Sequence, residues 1–320
     1  MSRRRADAVE TVRGAVAAGE LGRTLAHEHV FVLTPDSQAN WSDEWDEEER
    51  IAEAVVQLGQ VVAAGYRTII DPTVDGLGRD VARIARVSAQ VPELNIVVAT
   101  GIYTWARVPN YFAHRSDQTM VDGFVRDITE GIKGTDGIKA AFLKCAVDEA
   151  GLLSGVERVL RNVCAAHRDT GAPVMVHTHP RTRNALEVAR VLAAERVPPS
   201  CVVLAHSGDA TDTGYLTALA DEGFFLGMDR FGLPGEADTV ERTRTAIEMC
   251  ELGYSGSMML SHDTASYIDW IDPAVRFPDW HYLHIENGVL PVLRENGVTQ
   301  EQIDRMQVEN PRRWLLSRGV

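Results

Sequence analysis

The feature that most restricts the fold of this 320-residue chain is a rhythm of short apolar, β-branched runs. Each run is followed by a polar loop and then by a stretch with helical periodicity. The runs are nearly continuous in apolar residues, which is typical of parallel strands that are buried on both faces. The predicted strands are Thr24–Phe31, Thr68–Asp71, Asn95–Thr100, Ile138–Lys144, Pro173–His177, Val202–His206, Phe224–Asp229 and Met258–Asp263.

Amphipathic helices are predicted between these strands. The clearest are Glu47–Ala64, Val156–Thr170, Asn184–Ala194 and Thr239–Leu252. Strands that alternate with helices in this number favour the α/β class and a closed (β/α)8 TIM barrel, with residues 1–320 as a single domain. The main alternative, a doubly wound open sheet, usually has a glycine-rich phosphate loop after its first strand. Here the first strand contains His27-Glu28-His29 instead, which favours the barrel.

Composition narrows the class of protein. Hydrophobic residues make up 45% of the chain and charged residues 24%, as in an ordinary globular protein. The net charge of −14 disfavours binding to nucleic acids and to anionic membranes. No apolar run is long enough to span a bilayer, and no apolar segment follows the basic N-terminus, so we expect a cytoplasmic protein. The four cysteines form no CxxC pair and are expected to be buried and reduced.

Six polar residues stand at the carboxyl ends of the predicted strands, where barrel enzymes build their active sites. They are His27, His29, Lys144, His177, His206 and Asp263. Alternate residues of a strand share a face, so His27 and His29 are expected to point into the barrel mouth and Glu28 away from it.

Each of these residues has an ordinary structural explanation when it is taken alone. An HxH pair arises by chance, a histidine at a strand end often bonds to a loop, and a buried lysine usually has a carboxylate partner because its charge is costly to desolvate. Their shared position at one end of the barrel favours a metal centre. Imidazole nitrogen and carboxylate oxygen are ligands of zinc and other divalent metals.

Seven segments carry, in their order and spacing, a resemblance to a known family. They are Leu25–Phe31, Ala99–Tyr103, Phe142–Cys145, Val176–His179, Leu204–Asp209, Gly227–Gly232 and Ser261–Asp263. The chain resembles the phosphotriesterase-like lactonases of the amidohydrolase superfamily, and in particular the actinobacterial members that open acyl-homoserine lactones. The likeness runs from Val12 to Pro311, which is nearly the whole chain.

The resemblance implies a centre of two divalent metal ions, with zinc expected and cobalt, iron and manganese as alternatives. An N6-carboxylated Lys144 would bridge the two ions. The more buried ion would be held by His27, His29 and Asp263, and the more exposed ion by His177 and His206. Asp263 would also carry a proton to the leaving alkoxide.

The resemblance also implies residues that contact the substrate. Tyr103 would orient a lactone at the metal centre, and the loop Thr264–His281, with Trp270, would form a lid over an acyl chain. Arg230 would brace that lid and Trp105 would form an aromatic wall, although plain packing also explains both tryptophans.

The remaining histidines and one loop have ordinary interpretations. His179 is expected in a loop and His262 on the side of its strand opposite Asp263. His114, His167, His281 and His284 are expected to be surface or packing residues. The segment Leu233–Asp238 lacks the bulky apolar residues common in relatives, which leaves the acyl-chain preference open.

Three functional hypotheses follow. The leading one is a metal-dependent lactonase that acts on a small-molecule lactone, first of all N-acyl-homoserine lactones, with weak phosphotriesterase activity. The second is a dedicated organophosphate triesterase. The third, a non-catalytic binding protein, is disfavoured because all six candidate ligands are present. The resemblance further implies a homodimer.

Overall fold

The computed structural model describes residues 7–272 and 274–319, so Pro273, within the predicted lid loop, lies outside the described residues. The strands are β1 Ala8–Thr11, β2 Gly14–Ala17, β3 Thr24–Leu25, β4 His29–Val32, β5 Thr68–Asp71, β6 Asn95–Ile102, β7 Phe142–Ala146, β8 Val174–His177, β9 Val202–Ala205, β10 Phe225–Met228, β11 Met258–Leu260 and β12 Ala265–Ile268.

Eight parallel strands form one sheet in the order β3-β5-β6-β7-β8-β9-β10-β11. The two ends of this sheet meet, because the amide of Ala26 donates to the carbonyl of Leu260 at 3.4 Å and the amide of Asp263 donates to the carbonyl of His27 at 3.1 Å. Helices separate most of the consecutive strands. The predicted (β/α)8 TIM barrel is therefore confirmed.

The α-helices surround this sheet. Several begin at an aspartate whose side chain accepts a backbone N–H of the first turn, as Asp46, Asp80 and Asp238 do. The helices are α1 Pro35–Asn40, α2 Glu47–Ala63, α3 Val81–Gln90, α4 Asn110–Ala113, α5 Asp117–Thr129, α6 Ser154–Thr170, α7 Ala185–Ala194, α8 Thr213–Asp221, α9 Thr239–Glu251, α10 Leu290–Glu295, α11 Gln300–Asp304 and α12 Asn310–Leu316, with π-helical turns at Ile285–Val289 and Arg305–Glu309.

The first predicted strand, Thr24–Phe31, is divided in the structure. β3 ends at Leu25, and β4 begins at His29 and pairs with β12 outside the barrel. Between them the amide of His27 donates to the Ser261 hydroxyl at 2.9 Å, so this residue leaves the regular strand ladder. The prediction of one continuous strand was wrong, because contacts with a distant segment replace the ladder.

Of the other predicted strands, only Thr68–Asp71 has the predicted bounds, and three of the remaining six show why the bounds differ. β9 stops at Ala205 because the next residue, His206, has a left-handed backbone with φ of +66°. β11 stops at Leu260, and Asp263, the predicted last residue of that strand, also has a left-handed backbone, with φ of +54°. β7 begins at Phe142 rather than Ile138, since the carbonyl of Ile138 accepts the amide of Ile132 at 2.8 Å in a turn. Non-glycine residues rarely adopt positive φ, so two predicted ligands occupy strained positions.

The core has two parts. The larger lies between the sheet and the helices, and the smaller fills the barrel and its amino end. In the smaller part the fully buried Trp314 packs edge-on against Phe142, with ring centres 5.2 Å apart, and its indole N–H donates to the carbonyl of Cys201. This packing closes the barrel at the end opposite the predicted metal ligands. Among the described residues, no helix combines the length and the apolar character needed to cross a bilayer.

Gly101 allows β6 to approach β7 beside Lys144. Its φ is +148°, and a Cβ atom there would lie 1.8 Å from the carbonyl oxygen of Lys144. We expect Gly101→Ala to lower the free energy of unfolding by at least about 3 kcal/mol, because strain and a backbone clash combine. Gly59→Ala, in open space on α2, is the control and should raise it by about 0.5 to 1 kcal/mol. Urea titration followed by circular dichroism measures both, and equal stabilities would contradict the close approach.

Candidate metal centre

The predicted ligands line one cavity of about 170 Å³ at the carboxyl end of the barrel. Its polar floor and its walls together comprise His27, His29, Val32, Leu77, Tyr103, Lys144, His177, His206, Arg230, Leu233, Asp263, Ala265, Ile268, Trp270 and Trp280. Trp105 is outside this lining. It stands at the rim, 56% exposed, with its indole N–H donating to the Tyr103 hydroxyl at 3.1 Å.

His27, His29 and Asp263 form a compact set of ligand atoms. The Nε2 atoms of His27 and His29 lie 3.1 Å and 3.3 Å from the same oxygen of Asp263. Each residue offers one ligand atom, and these atoms all lie within 4.8 Å of one another. Two imidazoles and a carboxylate at this separation suit a divalent metal ion.

His177 and His206 form the second pair. His177 Nδ1 and His206 Nε2 face each other 2.8 Å apart. Burial lowers the pKa of His177 to about 4 and lowers that of His206 well below its usual value. Both imidazoles are therefore neutral at pH 7, which is the state that binds a metal.

Lys144 lies on β7 and lines the same cavity as both histidine sets. It is 1% exposed, and its amine has no hydrogen-bond partner among the described residues. Burial lowers the pKa of this amine to about 8. A buried cation without a partner is unfavourable, so the position calls for a ligand or a chemical change that removes the charge. The donors present thus fit divalent metal ions, and the buried Lys144 amine lines the same cavity.

Asp229 was not among the predicted site residues, yet it joins both histidine sets. Its two oxygens accept from the Nδ1 atoms of His27 and His206, at 2.9 Å and 3.0 Å, and one of them also accepts the amide of His206 at 2.8 Å. Burial tends to raise the pKa of Asp229, but the two imidazoles together hold it well below its usual value. With Nδ1 occupied, each ring presents Nε2 to the cavity. The position at the end of a predicted strand was the signal that could have identified it.

His27, His206 and Asp229 also satisfy the distance requirement for metal ligands. We assign this second group to hydrogen bonding, because its members meet through Nδ1, on the side of each ring away from the cavity. His29 is arranged in the same way, because its Nδ1 lies 2.7 Å from the Thr73 hydroxyl and its Nε2 faces Asp263. That hydroxyl in turn donates to Asp71, at the end of β5.

His177 has a different arrangement, since its Nε2 faces away from His206. This atom lies 3.4 Å from a carboxylate oxygen of Asp148, in the loop after β7. The loop is fixed by the side-chain amide of Asn184, which donates to the carbonyls of Val147 and Asp148 at 2.9 Å and 3.0 Å. Sequence reasoning did not identify Asp148 or Asn184, because neither stands at a predicted strand end.

Arg230 forms hydrogen bonds with one predicted metal ligand, Asp263, and with the buried Asp209. Its Nε donates to Asp263 at 3.0 Å and its Nη1 donates to Asp209 at 3.1 Å. Among the described residues, Arg230 makes no hydrogen bond to the predicted lid loop, Thr264–His281. Trp270 of that loop lines the cavity, and its indole N–H donates to the Thr34 hydroxyl at 3.1 Å.

The other histidines lie apart from the cavity. His179 is half-buried in the loop after β8, and His262 is fully buried with Nδ1 2.6 Å from a carboxylate oxygen of Glu28. His167 is buried in α6, where Nδ1 lies 2.7 Å from the carbonyl of Ala172. His179 thus lies in a loop, His262 faces away from the cavity that Asp263 lines, and His167 is a packing residue, as the sequence predicted.

A TIM barrel with two histidine-based ligand sets around a buried lysine defines the class: a metal-dependent hydrolase. Comparisons with known proteins agree. The profile of the phosphotriesterase family matches residues 7–315, and the chain belongs to this family. The "Phosphotriesterase homology protein" of Mycobacterium tuberculosis (strain ATCC 25618 / H37Rv) is 49% identical over 97% of this chain and 98% of its own length.

A second relative and a solved structure extend the comparison. The "Aryldialkylphosphatase" of Saccharolobus solfataricus is 34% identical over 95% of this chain and 98% of its own length. A solved structure of the phosphotriesterase from Mycobacterium tuberculosis superposes with a TM-score of 0.94, at 48% identity over 98% of this chain and 99% of that chain. The fold and the enzyme class inferred from the sequence are confirmed.

Asp229→Asn should weaken metal binding. The amide has one oxygen for two imidazole donors, so one ring loses the partner that holds its orientation. We expect the affinity for divalent metal to fall about 10- to 100-fold, as measured by competition with a chelator. Asp221→Asn is the control, since this exposed residue accepts a hydrogen bond from Tyr254 at 2.8 Å away from the cavity. Unchanged affinity in Asp229→Asn would contradict the orienting role.

Proposed function

We propose that this chain is a metal-dependent lactonase that opens lactone esters, first of all N-acyl-homoserine lactones, with a weak phosphotriesterase side activity. The observation that carries the proposal is the position of Tyr103 in the cavity, where its ring lies 5.3 Å from that of the predicted ligand His177 and 6.2 Å from that of the apolar Trp270. A lactone with an acyl chain has the same division, with a polar ring at one end and a hydrocarbon chain at the other.

Tyr103 supports this assignment as a hydrogen-bond donor. Its ring stands perpendicular to that of His177, with centres 5.3 Å apart. Burial raises the pKa of its phenol, so the group stays protonated across the physiological range. Trp105 donates to the phenol oxygen, and no other hydrogen bond of this hydroxyl occurs within the described part of the chain. The phenol proton is therefore free to bind a substrate oxygen above the histidines.

The apolar wall supports a substrate with a hydrocarbon arm. Apolar side chains from β4, β12 and several loops line the same cavity as the predicted metal ligands, and burial of such an arm against them contributes about 0.8 kcal/mol for each methylene group. The residues of this wall are Val32, Leu77, Leu233, Ile268, Trp270 and Trp280.

The reaction would use the ligand sets as the resemblance implies. His27, His29 and Asp263 would hold one metal ion, and His177 and His206 the other. When bound, the two ions supply a nucleophile from water at neutral pH and polarise the carbonyl of the substrate. Tyr103 would orient the lactone by donating its phenol proton in a hydrogen bond.

Asp263 would move the proton. Burial tends to raise its pKa, but His27 and His206 together hold it well below the usual value, so the carboxylate is a weak base. Its ability to transfer a proton therefore depends on the position of the carboxylate, which Arg230 holds through a hydrogen bond of 3.0 Å. Asp263 would accept a proton from the attacking water and deliver it to the alkoxide that leaves when the ring opens. An alkoxide is a strongly basic leaving group, so this protonation matters more for a lactone than for an aryl phosphotriester.

Lys144 would complete the centre as a carbamate. The neutral amine would attack the carbon of carbon dioxide, so that an N–C bond forms, one C=O π bond becomes an oxyanion, and the nitrogen loses one proton to water. The carbamate would give the centre an anionic oxygen ligand where the unmodified side chain would be a buried cation. The unpartnered amine and its lowered pKa support this modification.

The alternative is a dedicated organophosphate triesterase, favoured by the likeness to the aryldialkylphosphatase of Saccharolobus solfataricus. A panel of γ- and δ-lactones and a diethyl aryl phosphotriester, tested on metal-loaded enzyme, separates the two functions. We expect a higher kcat/KM for at least one lactone than for the phosphotriester. Absence of lactone turnover, or a phosphotriester hydrolysed far faster than every lactone, would reject the lactonase. If the protein bound these small molecules equally well after its metal was removed, a non-catalytic binding protein would be favoured instead.

Tyr103→Phe tests the role of the phenol. It removes one hydrogen bond to the lactone while the ring keeps its packing, so kcat/KM for lactones should fall about tenfold, which corresponds to about 1.4 kcal/mol. Turnover of the phosphotriester should change less. Tyr111→Phe, at an exposed position, is the matched control. Equal losses on both substrates would mean that Tyr103 does not select lactones.

Carbamate formation at Lys144 should depend on pH. The amine is neutral above its pKa, so the rate at which metal-free protein takes up ¹³C-labelled carbon dioxide should rise with pH and level off above about 8. Carbon-13 NMR at constant dissolved carbon dioxide measures this rate. If the rate kept rising until the pH reached 10.5, the ordinary pKa of a lysine, the lowered pKa of Lys144 would be contradicted. Lys144→Ala should lose the label and metal loading, and acetate should restore part of both loading and activity.

A further inference from the structure

Glu28, the middle residue of the His27-Glu28-His29 segment, points away from the cavity and is fully buried. Its side chain reaches the loop after β11. One carboxylate oxygen accepts the hydroxyl of Ser261 at 2.7 Å and the amide of His262 at 3.0 Å, and lies 2.6 Å from Nδ1 of His262. The other oxygen accepts the amide of Thr264 at 3.1 Å. The donors therefore lie on both sides of Asp263.

His262 is itself held in one tautomer. Its Nε2 accepts the backbone amide of Ile285 at 3.0 Å, so this nitrogen carries no proton and Nδ1 must be the N–H that donates to Glu28. All four contacts of the carboxylate are thus donors. A buried carboxylate with this many donors is well satisfied, and these charge-assisted hydrogen bonds are stronger than neutral ones.

The loop needs such support because Asp263 adopts a left-handed backbone, with φ of +54°. Strained residues of this kind persist only where the surroundings determine the conformation. The adjoining backbone is tied to the segment around Glu28 as well. The amide of Asp263 donates to the carbonyl of His27 at 3.1 Å, and the amide of His29 donates to the carbonyl of Thr264 at 2.8 Å.

We propose that Glu28 is a positioning residue, which holds residues 261–264 and thereby aims the Asp263 carboxylate into the metal centre. The inference rests on the metal centre of the proposed lactonase. The alternation of side chains along the segment explains the arrangement. Two histidines point inwards to bind metal, and the carboxylate between them points outwards to hold the third ligand of the same set, 235 positions away (263 minus 28).

Glu28→Gln tests this role with little change of shape. The amide has a single acceptor oxygen, so its NH₂ group must face either the Thr264 amide or the donors of Ser261 and His262. We expect the dissociation constant of the tighter-bound Co²⁺ to rise at least about tenfold, with a changed visible absorption spectrum of the bound ion. Glu195→Gln is the matched control, since Glu195 accepts from Arg161 and Arg168 at 2.6 Å on the outside of the barrel and should bind Co²⁺ as the wild type does.

The titration uses Co²⁺ alone, at 25 °C and without substrate, so its result is independent of whether lactones are hydrolysed. A lower melting temperature of Glu28→Gln with wild-type Co²⁺ affinity and spectrum would mean that Glu28 only stabilises the fold, and would overturn the proposal. If Glu28→Gln does not fold, Ser261→Ala takes its place. It removes the hydroxyl that donates to Glu28 and accepts from the His27 amide at 2.9 Å. A several-fold weaker Co²⁺ affinity would then support the proposal, and wild-type affinity would overturn it.

Discussion

Closure of the parallel sheet between β11 and β3 is the constraint on which the rest of the site depends. It places the first and the last strand of the barrel side by side, so His27 and Asp263 become neighbours and share a backbone hydrogen bond of 3.1 Å. In an open sheet these strands would lie at opposite edges and their side chains could not bind one ion. Closure also directs the carboxyl ends of all eight strands to one cavity, where Lys144 and the remaining histidines meet.

Polar groups within the closed barrel must be satisfied, and this requirement gives each histidine a defined role. An imidazole has two nitrogens, and a partner on one of them determines which nitrogen faces the cavity. Asp229 accepts hydrogen bonds from His27 and His206. The Thr73 hydroxyl lies at hydrogen-bond distance from His29, and Asp148 lies beside His177. The Lys144 amine is the exception, because no described residue satisfies it. The unpartnered amine is the reason that carboxylation of Lys144 is part of the proposed function.

Much of this could be predicted from the sequence, because the signals are local. Apolar β-branched runs identify buried parallel strands, and polar residues at their carboxyl ends identify the mouth of the barrel. His27, His29, Lys144, His177, His206 and Asp263 were all found in this way, and all line the cavity. Strand ends were less predictable. His206 and Asp263 leave the strand geometry through left-handed backbones, which neither an apolar pattern nor the identity of the residue reveals.

The sequence by itself therefore determined the class of fold, the order of the strands along the chain and the residues able to bind metal, since each of these depends on side-chain type and spacing. Only the tertiary structure decided which residues hold those ligands in place. Asp229 and Glu28 look like ordinary acidic residues beside a strand, and their roles appear only where hydrogen bonds join segments about 200 residues apart. The tertiary structure also placed Trp105 at the rim and paired Arg230 with Asp263. Such contacts arise from barrel closure, and the periodic pattern of side chains along the sequence does not predict them.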